Sequence, residues 1–343
     1  MKPVLLFFLV CLLSIMPGCA GENGSVTGRP VKKQFFALDT LVTLTIYDAK
    51  EDSDPDALLD ECEALCKNYE EMFSRTIEDS DIDRLNKAEC APVNVSPETL
   101  ELLETALSYS ALTDGLFDIT IAPVSVLWEF RPDTEASGEA ALPDPEALSE
   151  ALIHVSYKNL ILDTENGTVS LSDPEASVDL GAIAKGYIAD RLKEKLLANG
   201  VNSAIIDLGG NILTIGKKPD GSPFRIAVKK PFSGTDIAAS LPIENRSVVT
   251  SGIYERYFEL DDKIYHHVLD PNTGFPIENE LASVTIISDD SLTGDCLSTA
   301  CLLLGKDASE KLVGSTEGVD AVFIERDGTV SCTEGLKNII TFQ

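Results

Sequence analysis

The sequence predicts an α+β fold, and two observations carry that expectation. Apolar stripes of helical period occur at wide intervals, and between them segments of strand period follow one another directly through turn residues. Strands joined by short turns pair antiparallel, whereas a parallel sheet needs a crossover helix between partners. No internal repeat is visible, and the order is not a regular βαβ alternation.

The elements read in order as follows. Residues 35–47 alternate as one strand, with Phe36, Leu38, Thr40, Val42, Leu44 and Ile46 on one face. Residues 54–71 have helical spacing, with Leu58, Leu59, Cys62, Leu65, Cys66, Tyr69 and Met72 as the apolar stripe. After a loop at 73–80, Ser80 caps a short helix to Asn86, and Ser96 caps a longer one to about Thr113, closed by Asp114-Gly115. Residues 116–123 lead to the single tryptophan, Trp128, and 131–144, rich in Pro, Glu and Asp, form an exposed excursion. Helices are expected at 144–151 and 185–199, the latter stopped by Gly200, with strands between them near Leu160 and Thr168. Strands then dominate, at 203–208, 224–228, 247–251, 254–260, 263–269 and 282–288. A last helix at 293–304 stops at Gly305, and two strands near Ala321 and Asn338 close the chain.

The N-terminus reads as an export signal: Lys2 precedes an apolar run over 4–16, shorter than the roughly 20 residues a membrane-spanning helix needs. The run closes on Met16-Pro17-Gly18-Cys19, which resembles the lipobox of bacterial lipoproteins, where the cysteine is acylated and becomes the first mature residue. Ordinary secretion with cleavage near Gly18 is the alternative. The expected organisation is a signal peptide at 1–18 with Cys19 as the lipidation site, a Gly/Ser/Asn-rich tether at 19–33, and one large domain or two intimate lobes at 34–343. The expected location is extracytoplasmic, lipid-anchored to the bacterial cell membrane.

A formal net charge of -30 argues against nucleic acid as a partner and against electrostatic adhesion to anionic lipid, so the anchor would be covalent. Besides Cys11 and Cys19 there remain Cys62, Cys66, Cys90, Cys296, Cys301 and Cys332. Disulfides are permitted in an exported chain, but 62/66 and 296/301 lie in helix-like apolar stretches and no CxxC pair supports zinc, so buried free thiols are expected.

The stretch 178–190 holds the most chemistry. Asp179 ends an apolar run, small residues follow, and Lys185 stands where a helix begins, so uncovered backbone and a positive charge meet where a polyanion could bind. Asp295 and Thr299, four apart, share one helix face as hard oxygen ligands for Mg²⁺ or Ca²⁺, with Ser298 able to assist. On spacing alone this is a weak motif, and Asp295 reads as a helix cap with Thr299 facing solvent. Asp207 to Asn211, with Gly209 and Gly210, is either a backbone approach to a ligand or a plain turn. Neither a dinucleotide fingerprint nor a Walker loop is present. In a strand at 264–269, His266 and His267 face opposite sides, so only one can orient a phosphate or act as a base. Either is equally a core or surface histidine.

Taken jointly, several motifs resemble the ApbE family of flavin transferases. They are Ala37 to Thr40, Phe73-Ser74 to Asn86, Asp114 to Thr120 with Pro123 and Leu127-Trp128, and Asp179 to Tyr187. Asp207 to Asn211, Thr250-Ser251-Gly252, His267 to Gly274 and Asp295 to Ala300 continue the series, which covers essentially everything after the tether. The resemblance implies a two-lobed α+β fold of mixed and antiparallel sheets with flanking helices, FAD lying in a groove between lobes. It places Leu38, Thr76, Leu116, Phe117 and Asp118 at the isoalloxazine and ribityl end. Asp179, Lys185 and the strand from His267 to Leu269 would hold the remainder with the diphosphate. It implies Mg²⁺ on the Ala182 carbonyl, Asp295 and Thr299, with Ser298 a further candidate.

The implied reaction moves FMN from FAD to a threonine or serine hydroxyl of an acceptor protein, releasing AMP. His267 is the candidate base with Asp118 the alternative, and Lys185 stabilises the departing phosphate. The implied acceptor is a membrane redox protein with a Thr-containing flavinylation motif. Two departures stand out: Leu38-Asp39-Thr40 where the family often has Met-Gly-Thr, and Thr76 where it often has tyrosine, a loss that would admit water. A Mg²⁺-dependent FAD pyrophosphatase and a non-catalytic FAD-binding lipoprotein are therefore the competing readings.

Overall fold

The computed structural model describes residues 29–128, 130 and 141–343; the signal peptide, Cys19, most of the tether and most of the 131–144 excursion lie outside the described residues. The chain opens with β1 (Val31–Ala37), β2 (Thr40–Ala49), α1 (Pro55–Phe73), α2 (Asp81–Asn86), β3 (Val93–Asn94) and α3 (Pro97–Leu112). It continues through α4 (Ala122–Ser125), α5 (Pro145–Ile153), β4 (Leu160–Asp163), β5 (Thr168–Leu171) and α6 (Ala184–Ala198). Next come β6 (Val201–Leu208), β7 (Asn211–Ile215), β8 (Phe224–Lys229), β9 (Ile237–Ile243), β10 (Ser247–Gly252), β11 (Tyr257–Leu260), β12 (Lys263–His266) and β13 (Leu281–Ser288). The last elements are α7 (Ser291–Leu304), α8 (Lys306–Gly314), β14 (Asp320–Glu325), β15 (Val330–Cys332) and β16 (Thr341–Phe342).

This is the mixed α+β architecture the sequence predicts. An eight-stranded antiparallel sheet runs β1-β2-β6-β7-β10-β13-β14-β15. The main core lies between this sheet and the helices, where Leu44, Ile206 and Val284 meet Tyr187, Leu192 and Leu297. On the other face, Phe224, Ile226, Leu241 and Val248 form a second core with the small sheet β16-β9-β8. With both faces covered, β13 is buried at every residue, which is why it reads as a continuous apolar run rather than an alternation.

Several expectations are corrected. The single strand at 35–47 is a hairpin: Leu38 and Asp39 both have φ +55°, the geometry of a two-residue turn whose central residues are left-handed. Periodicity alone missed this turn because a leucine occupies a position usually held by Asn, Asp or Gly. β1 starts at Val31, inside the stretch read as tether. The strand expected at 254–260 starts only at Tyr257, and that at 263–269 ends at His266. Asn338 lies in a turn, and the closing strand is β16. Strands β3, β7, β9 and β15 and helices α4 and α8 were not foreseen; β9 contains two alanines and Pro242, and α8 starts directly after Gly305 without a side-chain cap. All six described cysteines are free thiols, as expected. Cys62, Cys66, Cys296 and Cys301 are buried, while Cys90 is exposed and Cys332 half-buried.

Two contacts position the functional region. Trp128 donates its indole N–H to the Gly274 carbonyl at 2.9 Å and stacks on Phe130 and Tyr265, fixing the turn after β12. Helices α6 and α7 touch at Gly186, where an added Cβ would meet the Ser291 carbonyl oxygen at 2.5 Å and the Asp295 Cβ at 2.7 Å. A Gly186→Ala substitution is expected to cost about 1–3 kcal/mol through overpacking, read as a lower urea midpoint with an unchanged slope. An unaltered midpoint would contradict this close approach.

Candidate active site

The site is built where the start of α6 meets α7. Ile183 is the N-cap of α6, so the Gly186 N–H belongs to the first turn, whose N–H groups have no intrahelical carbonyl to bond. Here it donates instead to Asp295 Oδ2 at 2.8 Å, from the neighbouring helix. The Ala182 carbonyl is left with no hydrogen bond among the described residues, and so is the second Asp295 oxygen. Asp295 is only 3% exposed, and burial holds its carboxyl above the ordinary range, opposed by the nearby Lys185 charge and the Gly186 N–H. A buried carboxylate with a free oxygen, with an unpaired carbonyl four residues ahead of its Gly186 partner, could hold a hard cation.

The hydroxyls differ in what they can still do. Ser298 is buried, donates to the Asp295 carbonyl at 3.0 Å and meets Ser251 Oγ at 2.8 Å. Thr299 is half-buried and meets only Ser251 Oγ, at 3.0 Å. Thr299 is therefore the hydroxyl freer to meet a ligand, and Ser251 contacts both. Among the described residues no three His, Cys, Asp or Glu side chains gather as a metal cluster, so only a mixed carboxylate, hydroxyl and carbonyl set fits this place.

Lys185 leaves α6 beside this set, its Nζ donating to the Gly181 carbonyl at 3.1 Å. Asp190, one turn on, accepts the Ser291 and Leu292 N–H groups and so caps α7 from the facing helix, at 2.8 and 2.9 Å. Burial pushes its carboxyl up to about 6 against those hydrogen bonds. Asp179 is braced by Arg75 Nε at 2.8 Å and by the Gly181 N–H at 2.8 Å, joining the loop after α1 to the turn before α6. Leu38, in the β1–β2 turn, donates its N–H to Glu70 of α1.

Thr76 is exposed and contacts Ser74 Oγ. Leu116 is half-buried, whereas the Phe117 ring is enclosed in the core against Tyr109, which leaves it little side-chain surface for a ligand. Asp118 accepts from the Thr120 N–H and hydroxyl on one oxygen and from the Tyr157 N–H on the other. With both oxygens engaged it braces the loop and is poorly free to take a proton, although burial raises its carboxyl.

The two histidines part as expected, but for a different reason, since only His266 is in β12. His266 is 1% exposed and burial pushes it down to about 3. His267 is half-buried; its N–H and ring Nδ1 both reach the Arg256 carbonyl, at 3.1 and 3.3 Å. A carbonyl only accepts, so Nδ1 carries the proton and Nε2 keeps its lone pair. Burial, then the Arg256 charge, push His267 down to about 4, so it is neutral and ready to accept a proton at pH 7. Leu269 is buried, and its backbone pairs with Pro276.

The structure thus brings Ala182, Lys185, Asp295, Ser298 and Thr299 together, with His267 within reach of the Lys185 charge. Sequence reasoning gave no role to Asp190, Arg75, Gly186, Ser251 or Glu255. Asp190, Arg75, Gly186 and Ser251 lay in motifs singled out for their pattern, but for other residues of those motifs. Glu255 faces Lys185, Arg256 and Asp295, and nothing in its sequence neighbourhood marks it.

An α+β protein with an oxygen-lined cation place beside a lysine and a neutral histidine is of the class that handles phosphorylated ligands by group transfer. Comparison makes the class specific: the ApbE family profile matches residues 38–323, and the chain belongs to the ApbE family. It is 34% identical over 343 residues to the FAD:protein FMN transferase of Treponema pallidum, covering 96% of this chain and 92% of that protein. It is 38% identical over 277 residues to the Klebsiella pneumoniae FAD:protein FMN transferase, covering 80% and 84%. The crystal structure of the ApbE protein of Thermotoga maritima MSB8 superposes with a TM-score of 0.82 at 34% identity, covering 91% of this chain and 99% of that one.

The chain has three histidines, so their titration can be followed individually by NMR of the ring Cε1–H, with His267→Gln assigning one signal. His267 is expected to titrate near pH 4 and to remain neutral through pH 5.5. Because its folded value lies below that of the unfolded chain, its contribution to stability is present above about pH 6.5 and lost as pH falls toward 4. A midpoint between 6 and 7 would contradict the half-buried, carbonyl-held ring beside Arg256.

Proposed function

We propose that this chain is an enzyme that transfers FMN from FAD to a threonine or serine hydroxyl of an acceptor protein and releases AMP. The observation that carries the reading is the start of α6, where, among the described residues, the Ala182 carbonyl just ahead of the helix and one Asp295 oxygen near Lys185 have no hydrogen-bond partner. The relatives that match most of the chain bear the name FAD:protein FMN transferase, which supports the same activity here.

In this reading Ala182, Asp295 and Thr299 would hold Mg²⁺, with Ser298 keeping Asp295 and Ser251 in place. When bound, the cation supplies charge neutralisation at the FAD diphosphate. Lys185 adds a positive charge that lowers repulsion of the incoming oxygen and steadies the departing AMP phosphate. His267 Nε2 takes the hydroxyl proton as the acceptor oxygen bonds the FMN phosphorus and the phosphorus–oxygen bond to AMP breaks. Asp179, held by Arg75, and Leu38, Leu116, Asp118 and Leu269 shape the walls of the flavin groove.

Hydrolysis of FAD to FMN and AMP is the second reading, favoured by the exposed, small Thr76 where an aromatic wall is expected. The acceptor we propose is a membrane redox flavoprotein with a Thr-containing flavinylation motif. The chain would meet it while lipid-anchored through Cys19 on the extracytoplasmic face of the cell membrane.

Asp295→Asn keeps an oxygen for the Gly186 N–H and removes the charge. It is expected to lower flavin transfer by about 10²–10³-fold, with the melting temperature little changed, read as flavin fluorescence on a denatured acceptor. A rate near that of the unsubstituted protein would remove the metal assignment. With the unsubstituted protein, free FMN as the main product would favour hydrolysis, and unchanged FAD would favour storage.

A further inference from the structure

Two consecutive non-glycine residues, Leu38 and Asp39, hold φ +55° in the β1–β2 turn. Left-handed backbone brings Cβ close to the following carbonyl oxygen, so a bulky apolar residue enters it only at a cost. Strain of this kind persists where surrounding contacts over-determine it, and it collects at ligand sites. Leu38 is half-buried and packs on the main core, whereas Asp39 is exposed.

The turn is held from two sides. The Leu38 N–H donates to Glu70 Oε1 at 2.7 Å, from the last turn of α1. The β6–β7 turn closes on the start of β2: a Cβ on Gly209 would meet Thr40 Oγ1 at 2.1 Å, so the glycine lets the two turns touch. Glu70 is half-buried and makes no ion pair among the described residues, in a chain of net charge -30. Withdrawing a carboxylate from water without a cation is costly, and what it gains here is one charge-assisted bond to a backbone N–H.

The place where α1 ends decides what that bond controls. Ser74 closes the helix by donating its N–H to the Glu70 carbonyl at 3.0 Å, and the next residue, Arg75, reaches Asp179. One helix end therefore grips the β1–β2 turn through Glu70 and the turn before α6 through Arg75. Both turns carry residues assigned above to the walls of the flavin groove.

We infer that Glu70 is a positioning residue for FAD binding: its carboxylate holds the strained β1–β2 turn in the conformation that sets Leu38 against the flavin, without touching the flavin itself. The inference rests on the flavin reading of the groove. It goes further by assigning the placement of one wall to a side chain on α1 and to two left-handed residues.

The test measures FAD affinity by flavin fluorescence, with circular dichroism showing each variant folded. Glu70→Ala is expected to weaken FAD binding about tenfold. Glu70→Gln keeps an oxygen for the Leu38 N–H and is expected to stay within about threefold of the unsubstituted protein. Asp39→Gly relieves the left-handed penalty at one position. Combined with Glu70→Ala, it is expected to restore most of the lost affinity, which direct contact between Glu70 and FAD would not allow. Hydrogen exchange of the Leu38 amide reads the brace without FAD, and Glu70→Ala is expected to quicken it at least about tenfold. Unchanged FAD affinity or unchanged amide exchange in Glu70→Ala, an equal loss in Glu70→Gln, or no recovery in the double variant would each overturn the proposal. Failure of the flavin reading looks different: the Leu38 amide is protected through Glu70 in the unsubstituted protein, yet FAD does not bind.

Discussion

One hydrogen bond organises the site: the Gly186 N–H to Asp295 Oδ2, 2.8 Å, across two helices. It satisfies a first-turn N–H of α6 and fixes one carboxylate oxygen while leaving the other free among the described residues. The bond forms only because residue 186 has no side chain, since a Cβ there would collide with α7. Asp190, reaching the other way, caps α7 and locks the same pair of helices in register. Reciprocal capping between facing helices thus leaves one place with unsatisfied oxygens, a condition for gripping a hard cation.

Electrostatics follow from that construction. Burying Asp295 in a strongly acidic chain is costly unless positive charge comes close, and Lys185 is the neighbour that offsets it. The same burial works in the opposite sense on His267, whose ring is kept neutral while the Arg256 carbonyl fixes its tautomer. A neutral imidazole and a buried carboxylate that both feel the Lys185 charge are groups that could serve proton transfer and cation binding in one site.

Much of the scaffold was legible in the sequence because its signals are local. Ser80 and Ser96 cap the helices they were expected to cap, and Gly200 and Gly305 end theirs at positive φ. The pairing of Asp295 with Thr299 followed from helical spacing. What stayed hidden depends on contacts distant in sequence. Nothing near Asp190 announces that it caps a helix 100 residues later, and Ser251 becomes an orienting hydroxyl only because β10 lies beneath α7. The β1–β2 turn was missed because left-handed backbone at Leu38 violates the usual preference, and β9 because its alternation is weak.

The central claim is that the free oxygens of Ala182 and Asp295 hold a divalent ion against the bridging phosphates of FAD. The most direct measurement is the anomalous difference map of crystals grown with FAD and Mn²⁺. The account predicts one strong peak touching Asp295, the Ala182 carbonyl and Thr299, in contact with the diphosphate. A map with Mn²⁺ elsewhere, or with FAD bound and no ion between those oxygens, would contradict it.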